Sequence, residues 1–280
     1  MSQSEKICIK EMKDKNIVFF DIDDTLYDPK LGVPESTVRA IKQLRENGDL
    51  AFICTGRAKS MIFPFINEIG FDGIVAGAGT YAEYNGEVLF RQDMTPEAGA
   101  KAVREVRDFG FIPIPEGHDH IYFEHESKWN KAYGAVHGLF IQHIADIMRQ
   151  IPENEEEMCI AKVSSAFDEK SDLQGAIEHF KDEYTVINHG NFLLELIPKG
   201  SSKAVGIKRV LNELGLSYEK TYALGDSMND YEMIDYVKHG IAMGNSEQAI
   251  KDIADYVTDR IECDGVAKAL TYFGLVSDIV

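Results

Sequence analysis

Short runs of consecutive apolar residues alternate along the chain with segments whose apolar positions recur every three or four residues. The first three such runs are NIVFF (16–20), LAFIC (50–54) and GIVA (73–76). Uninterrupted apolar character over four or five residues predicts strands that are buried on both faces. The segments between them, 34–48 and 59–69, have the spacing of amphipathic helices, and Gly48 is a typical residue after a helix end.

The same alternation returns near the C-terminus. Strands are predicted for YALG (222–225), HGIAMG (239–244) and DYVT (255–258), and helices for 203–215, 228–237 and 246–253. Strands that alternate with helices are typical of α/β proteins with a parallel sheet. Both ends of the chain are therefore predicted to form one doubly wound, mostly parallel, Rossmann-like α/β sheet.

The middle of the chain has a different pattern. Asn85-Gly86 lies between two apolar runs and predicts a β-hairpin, and helices are predicted over 95–108 and 130–150. We interpret residues 84–189 as a separate α+β domain that is inserted into the sheet domain. The sheet domain is then formed by residues 1–83 and 190–280.

Composition and charge narrow the range of partners. The chain has 280 residues, with 29 basic and 47 acidic side chains, and a formal net charge of −18. Such a charge disfavours nucleic acid and anionic membrane surfaces, because both attract basic proteins. No stretch approaches the roughly 20 apolar residues of a membrane-spanning helix, and charges interrupt the N-terminal apolar residues where a signal peptide needs an apolar core.

The cysteines point to a reducing compartment. They are scattered along the chain, without the paired spacing of a zinc site or a disulfide framework: Cys8, Cys54, Cys159 and Cys263. We therefore expect a cytoplasmic protein.

A first acidic cluster follows the first predicted strand. In FFDIDDTLYD, Asp21, Asp23 and Asp24 come directly after a buried strand. Ligands of open α/β sheets bind beyond the carboxyl ends of the strands. Crowded carboxylates need a compensating cation, and ligands that are all oxygen favour Mg²⁺ over zinc. The alternative is a solvated acidic turn that caps a helix.

A second acidic cluster repeats this arrangement in ALGDSMNDYEMI (223–234). Gly225 allows a close approach of the backbone, and Asp226 and Asp230 have the i,i+4 spacing that places two side chains on one helix face. The alternative, a capped helix start with surface acids, is plausible for either cluster alone. Two acidic strand ends in one sheet instead predict a single cation site.

Two further segments carry groups suited to an anion. Thr55 and Gly56 lie where a strand enters a helix, and offer a hydroxyl and backbone N–H groups to a phosphate oxygen. Lys203 lies at the start of a predicted helix and can neutralise a phosphate or a carboxylate nucleophile. We prefer it to Lys199 for this role.

In this order, the four segments resemble the four motifs of the haloacid dehalogenase superfamily of phosphohydrolases. The matching motifs are DxDxT at 21–25, Thr55, Lys203, and GDxxND at 225–230. Four sequence segments are similar to those of the Cof-type branch, subclass IIB: PKGSSK, GDSMND, GIAMGN and DGVAKAL. The resemblance implies a large α+β cap domain between the second and third motifs, where residues 84–189 lie.

The resemblance also implies a role for each motif residue. Asp21 would attack phosphorus and form an aspartyl-phosphate, and Asp23 would act as the general acid and base. Mg²⁺ would be held by the Asp21 carboxylate, the Asp23 main-chain carbonyl and Asp226, with Asp230 behind them. The groups that bind the phosphoryl oxygens would be Thr55, the Gly56 backbone, Lys203 and Asn229.

These expectations combine into a predicted function, a Mg²⁺-dependent hydrolase of small phosphorylated metabolites. Sugar phosphates are the first expected substrates and phosphorylated cofactors the second. Alternatives are a phosphomutase with the same aspartyl-phosphate, a phospho-accepting Mg²⁺-binding module that is not an enzyme, and an inactive member. The oligomeric state stays open. Candidate substrate contacts in the cap are His118, Asp119, His120, Tyr122, Trp129, Lys162 and His189.

Overall fold

The computed structural model describes residue 12, residues 14–190 and residues 192–277. Most of the N-terminal segment whose charges argue against a signal peptide lies outside the described residues, and so does Cys8. The described chain divides into two compact units. The first contains the residues up to Gly56, Asn67–Phe90 and the residues from Ser202 onward, and the second contains Arg57–Ile66 and Arg91–Ser201.

The first unit begins with three parallel strands and one long helix. In chain order, the elements are β1 (Ile17–Phe20), α1 (Glu35–Glu46), β2 (Leu50–Cys54), α2 (Pro64–Asn67), β3 (Gly73–Ala76), β4 (Tyr81–Tyr84) and β5 (Glu87–Arg91). Helix α2 lies at the border of the two units. Strand β4 is antiparallel to β3. Positive φ angles at Asn85 and Gly86 make the tight turn that this dipeptide predicts between β4 and β5.

The second unit is built on a six-stranded sheet with the order β10-β11-β9-β6-β7-β8. Its elements are α3 (Pro96–Asp108), β6 (Ile112–Glu116), β7 (Ile121–Phe123), α4 (Lys131–Ile144), β8 (Met148–Gln150), β9 (Lys162–Ala166), α5 (Leu173–Phe180), β10 (Tyr184–His189) and β11 (Leu193–Pro198). We call this unit the cap.

The chain then returns to the first unit. The elements are α6 (Lys203–Leu214), β12 (Thr221–Gly225), α7 (Tyr231–Tyr236), β13 (His239–Ala242), α8 (Gln248–Ile253), β14 (Tyr256–Val257) and α9 (Gly265–Tyr272). The complete sheet has eight strands in the order β14-β13-β12-β1-β2-β3-β4-β5. The strands from β14 to β3 are parallel neighbours, which confirms the predicted α/β class.

Residues of β1 alternate between two apolar clusters, one on each face of the sheet. Val18 and Phe20 belong to the cluster that includes α1 and α9, whereas Ile17 and Phe19 belong to the one that includes α6 and α7. All four are fully buried. An uninterrupted apolar strand is therefore required, because both of its faces are covered by helices.

Two local features differ from the predictions. A helix was expected over 59–69, but the structure has a 3₁₀ turn at Lys59–Met61 followed by the four-residue helix α2. Pro64 lacks a backbone N–H and restricts the residue before it, so no helix can continue through this position. Phe63 packs within the cap, where its ring centroid lies 4.4 Å from that of His143.

The unit borders also differ from the predicted 84–189 insertion. Strand β5 belongs to the eight-stranded sheet of the first unit, although the prediction placed it in the insertion. Strand β11 belongs to the cap sheet, where it pairs with β10 and β9, although the prediction placed it in the sheet domain. Segment 57–66 belongs to the cap as well, and Ser60 Oγ donates a hydrogen bond of 2.8 Å to Gly117 O.

Candidate active site

The two acidic motifs meet at the carboxyl ends of adjacent strands. Strands β1 and β12 pair in parallel with Phe20 opposite Leu224, and the Asp21 N–H donates to Leu224 O over 3.0 Å. Asp21 and Asp226 therefore leave the sheet side by side. Both side chains are buried, with only 3% and 9% of the residue surfaces exposed.

Lys203 joins these carboxylates from the first position of α6. Its Nζ donates to Asp21 Oδ1 at 2.6 Å, to Asn229 Oδ1 at 3.2 Å, and to Asp230 Oδ1. The residue is 1% exposed, although lysine is almost never fully buried without a partner. The neighbouring candidate Lys199 is exposed. The structure thus brings Lys203 to the acidic cluster and leaves Lys199 at the surface.

Glycines allow α6 to begin close to the sheet. A Cβ atom on Gly206 would lie 2.5 Å from Val75 Cγ1, and one on Gly79 would lie 2.0 Å from Ser202 O. Gly79 also has a φ of 86°, which favours glycine. Ser202 caps the helix by accepting a hydrogen bond from Val205 N over 3.3 Å. Together these contacts fix the position from which the Lys203 side chain extends.

Asp230 is held by a helix cap rather than on a helix face. Residues Met228–Asp230 form a 3₁₀ turn that begins with a capping box at Ser227. Asp230 Oδ2 accepts hydrogen bonds from the backbone N–H groups of Asp226 and Ser227 at 2.9 and 3.1 Å. A Cβ atom on Gly225 would lie 2.5 Å from Asp230 Cγ, so only glycine leaves room for this carboxylate.

Thr55 and Gly56 lie at the end of β2, next to Asn229. The Thr55 backbone donates to Val75 O at 2.9 Å and accepts from Ala78 N at 3.1 Å, and Thr55 is buried. A Cβ atom on Gly56 would lie 3.5 Å from Asn229 Nδ2. Because Asn229 Oδ1 accepts from Lys203 and from Ser227 Oγ, its amide nitrogen is available as a donor beside Gly56.

The loop after β1 contains an exposed acid and a buried hydroxyl. Asp23 is exposed, whereas Thr25 is fully buried and donates to Asp226 Oδ1 over 3.2 Å. No role for Thr25 follows from the sequence alone, although it is the last residue of the DxDxT motif. This hydroxyl links the first acidic motif directly to the second.

The buried acidic cluster contains three carboxylates and the ammonium group of Lys203. Burial, together with the charge of Asp230, raises the pKa of Asp21 to about 7, against the opposing effect of Lys203. Burial and the charges of Asp21 and Asp230 raise the pKa of Asp226 to about 9. Burial alone would lower the pKa of Lys203, but Asp21 and Asp230 raise it overall. A further cation would lower both carboxyl pKa values.

Three carboxylates could hold such a cation. Among the described residues, Asp21, Asp226 and Asp230 form one group whose ligand atoms lie within 4.8 Å of one another, and all three are buried. A donor set of carboxylate oxygens fits a hard divalent cation such as Mg²⁺. Both oxygens of Asp230 already accept hydrogen bonds, so this residue is better placed to orient the site than to bind the cation.

The free energy of unfolding of the metal-free protein should fall as the pH rises from about 4 to about 9. Asp21 and Asp226 have an ordinary pKa of 3.8 but values of about 7 and 9 in the folded protein, so the folded state binds more protons in this interval. Urea unfolding in EDTA at several pH values measures the change. In the variant Asp226→Asn, the free energy of unfolding should depend less on pH. An equal pH dependence in the wild type and the variant would contradict the raised pKa of Asp226.

The candidate substrate contacts of the cap fall into three groups within that unit. Lys162 and His189 both contact the buried Glu195, His189 at 2.8 Å, and Lys162 also pairs with Glu116 at 2.8 Å. Trp129 donates to Glu124 O and packs against the rings of Tyr133 and His137. The third group lies near Arg91, which pairs with Asp119, or in and directly before β7. Its members are His118, Asp119, His120 and Tyr122.

Comparison with known proteins assigns the family. The model of the haloacid dehalogenase-like hydrolases matches residues 18–270. The chain belongs to this family. It is 30% identical over 268 residues to "Putative phosphatase YkrA" of Bacillus subtilis (strain 168), with 94% of this chain and 99% of that protein covered. It is 24% identical to the 5-amino-6-(5-phospho-D-ribitylamino)uracil phosphatase YwtE of the same organism, over 89% of this chain and 95% of that protein.

A solved structure shares this fold. The fold matches the HAD subclass IIB sugar phosphatase BT4131 with a TM-score of 0.81 and 24% identity, over 94% of this chain and all of that chain. The family membership and the similarity to YkrA identify the protein as a haloacid dehalogenase-type phosphatase. Within the described part of this phosphatase, no helix has the length and apolar character needed to cross a membrane.

Proposed function

We propose that this phosphatase hydrolyses phosphomonoesters of small metabolites with Mg²⁺, through an aspartyl-phosphate on Asp21. The observation that carries the proposal is the 2.6 Å contact of Lys203 Nζ with Asp21 Oδ1 inside the buried carboxylate group. A carboxylate attacks an anionic phosphate ester only where positive charge offsets the repulsion. Lys203 supplies one such charge, and the carboxylate group is suited to a second.

We assign the cation to the Asp21 carboxylate, the Asp23 main-chain carbonyl and Asp226. When bound, Mg²⁺ would withdraw negative charge from the phosphoryl group. Asp230 holds Lys203 and the backbone of Asp226 and Ser227, and so fixes the groups around the cation. Thr25 orients Asp226 through its hydroxyl.

The proposed reaction has two displacements at phosphorus. A carboxylate oxygen of Asp21 forms a bond to phosphorus while the ester P–O bond breaks, and Asp23 donates a proton to the leaving oxygen. Asp23 then takes a proton from water, whose oxygen forms a bond to phosphorus as the bond to Asp21 breaks. Inorganic phosphate leaves and both carboxyl groups return to their starting states. The exposed position of Asp23 agrees with proton exchange with water.

We assign the phosphoryl oxygens to four groups of the first unit, which also contains Asp21. They are the Thr55 hydroxyl, the backbone N–H at Gly56, the Asn229 amide and the Lys203 ammonium. Donors that are fixed before the substrate arrives stabilise the charge of the transition state at little reorganisation cost. The network around Asn229 and Lys203 supplies such preorganisation.

For the substrate we propose sugar phosphates first and phosphorylated cofactors second. YwtE is named for a phosphorylated ribitylamino compound, and BT4131 for sugar phosphates. Both names describe small polar phosphomonoesters.

The test is phosphate release from p-nitrophenyl phosphate and a panel of sugar phosphates by the purified full chain. We expect release with Mg²⁺, loss of release in EDTA, and recovery when Mg²⁺ is returned. Transfer of the phosphoryl group to a second sugar position without free phosphate would instead identify a phosphomutase. Stable phosphorylation of Asp21 without turnover would identify a phospho-accepting module.

A further inference from the structure

The loop 243–247, which follows β13, is bound to the end of β12. Met243 N donates to Gly225 O at 3.0 Å, Ser246 Oγ donates to the same carbonyl at 3.1 Å, and Glu247 N donates to Asp226 O at 3.0 Å. These bonds attach the loop to the backbone of the second acidic motif. The loop is therefore held at a fixed distance from the site.

Asn245 extends from this loop to the first acidic motif. Its Nδ2 donates to Asp24 O over 2.7 Å, and its Oδ1 accepts from Ile261 N over 3.2 Å. The asparagine is thus fixed at both ends of its amide. It is the side chain through which loop 243–247 contacts the Asp24 backbone.

The carbonyl that Asn245 binds belongs to a residue in an unfavourable conformation. Asp24 has a φ of 58°, in the left-handed region that residues with a side chain seldom occupy. Its own N–H donates to Tyr27 O at 2.9 Å, and Ile22 O accepts from the N–H groups of Leu26 and Tyr27 at 2.9 Å each. The hydrogen bond from Asn245 is the contact from outside this turn that fixes the Asp24 carbonyl.

Asp23 lies between Ile22 and Asp24, whose backbone groups are held by these hydrogen bonds. Its side chain is exposed, and the direction of its Cα–Cβ bond follows from the backbone conformation between Ile22 and Asp24. Release of the Asp24 carbonyl would allow φ of Asp24 to relax to negative values, which would turn the Asp23 side chain away. The backbone geometry of this turn therefore sets the position from which the Asp23 carboxyl extends.

We infer that Asn245 is a positioning residue for the general acid Asp23. The inference rests on the proposed function, because it assigns a purpose to Asn245 only if Asp23 protonates the leaving group. Loss of Asn245 should then harm substrates that need this proton more than substrates that do not. A residue that only supports the fold would affect both kinds of substrate equally.

The test compares two substrates in each variant at saturating Mg²⁺. A sugar 6-phosphate has an alkoxide leaving group that needs a proton, whereas p-nitrophenolate leaves without one. The ratio of the two kcat/KM values does not depend on how much of a variant is folded. Asn245→Ala should lower the ratio of sugar phosphate to p-nitrophenyl phosphate by roughly 10- to 100-fold, part of the full effect of a general acid.

Two variants separate the contacts of Asn245. Asn245→Asp keeps the acceptor for Ile261 N but removes the donor to Asp24 O, and should lower the ratio as well. Lys251→Met removes a different bond to the same loop, from Lys251 Nζ to Gly244 O at 2.7 Å, and should leave the ratio unchanged. Asp23→Asn gives the largest selective loss and sets the scale.

One result would overturn the inference: an unchanged ratio in Asn245→Ala, whether both rates stay the same or fall equally. In either case the wild-type enzyme is active, so the proposed function stands while the role of Asn245 falls. A wild-type protein that releases no phosphate from either substrate would instead contradict the proposed function, and this inference with it.

Discussion

Replacement of Asp21 by asparagine is expected to lower kcat for every phosphomonoester by on the order of 10⁴-fold or more. An amide oxygen can accept the hydrogen bond from Lys203 but cannot act as the nucleophile that attacks phosphorus. The variant should therefore fold and lose chemistry on good and poor leaving groups alike. Phosphate release in single- and multiple-turnover experiments measures the loss, and intact mass measures phosphorylation of the protein.

The matched control is Asp28→Asn in the same loop. Asp28 Oδ1 accepts hydrogen bonds from Lys30 N and Leu31 N at 2.7 and 2.9 Å, a role that an asparagine oxygen can also fill. This variant should keep wild-type activity within a few-fold. If Asp21→Asn retained wild-type phosphate release with Mg²⁺, the aspartyl-phosphate mechanism would be wrong.

Lys203→Met is expected to damage both stability and catalysis. Removal of one partner from a buried ionic network leaves the carboxylates of Asp21 and Asp230 without their ammonium, at a cost of roughly 3–5 kcal/mol in the free energy of unfolding. The charge that offsets repulsion of the phosphate is lost as well, which should lower kcat about 10²- to 10³-fold. Urea unfolding in EDTA at pH 8 and phosphate release with Mg²⁺ measure the two effects.

Lys208→Met is the control on the same helix. Lys208 is exposed, so loss of its charge should change stability by a few tenths of a kcal/mol and leave kcat unchanged. Equal unfolding curves for the two variants would show that the contacts of Lys203 contribute nothing to stability. A Lys203→Met enzyme with full kcat would remove the lysine from the proposed mechanism.

Much of the first unit could be predicted from its apolar runs. Strands such as β1 and β2 are buried on both faces, so each must be continuously apolar, and few other structures produce this pattern. The neighbouring strand ends then follow from the topology of parallel sheets. From this topology alone, Asp21 and Asp226 are predicted to lie close together.

The unit borders could not be predicted in the same way. LLELIP (193–198) has the apolar composition of a strand in either sheet, and only its pairing with β9 and β10 assigns β11 to the cap. Likewise, nothing local in 57–66 shows that its aromatic residues pack within the cap. Pairing partners are distant in sequence, and no single-residue pattern encodes them.

Within the site, the sequence contains a signal for the position of Asp230 but none for the contact of Asn245 with Asp24. Ser227 and Asp230 have the S-x-x-D spacing of a capping box, which predicts that Asp230 turns back to the backbone instead of projecting from a helix face. Asn245 contacts Asp24 across 221 residues, and its sequence context contains no indication of that partner. Long-range polar contacts of this kind are visible only once the chain is folded.

The passage of the chain between the two units has a consequence for how caps can be exchanged. The chain crosses from one unit to the other four times, after residues 56, 66, 90 and 201. A cap from another phosphatase joined at residues 91 and 201 would meet segment 57–66 of the recipient, in which Phe63 packs against the rings of Phe140 and His143 of the original cap. Chimeras of this protein therefore need two replaced segments, because the cap is not one continuous stretch of the chain.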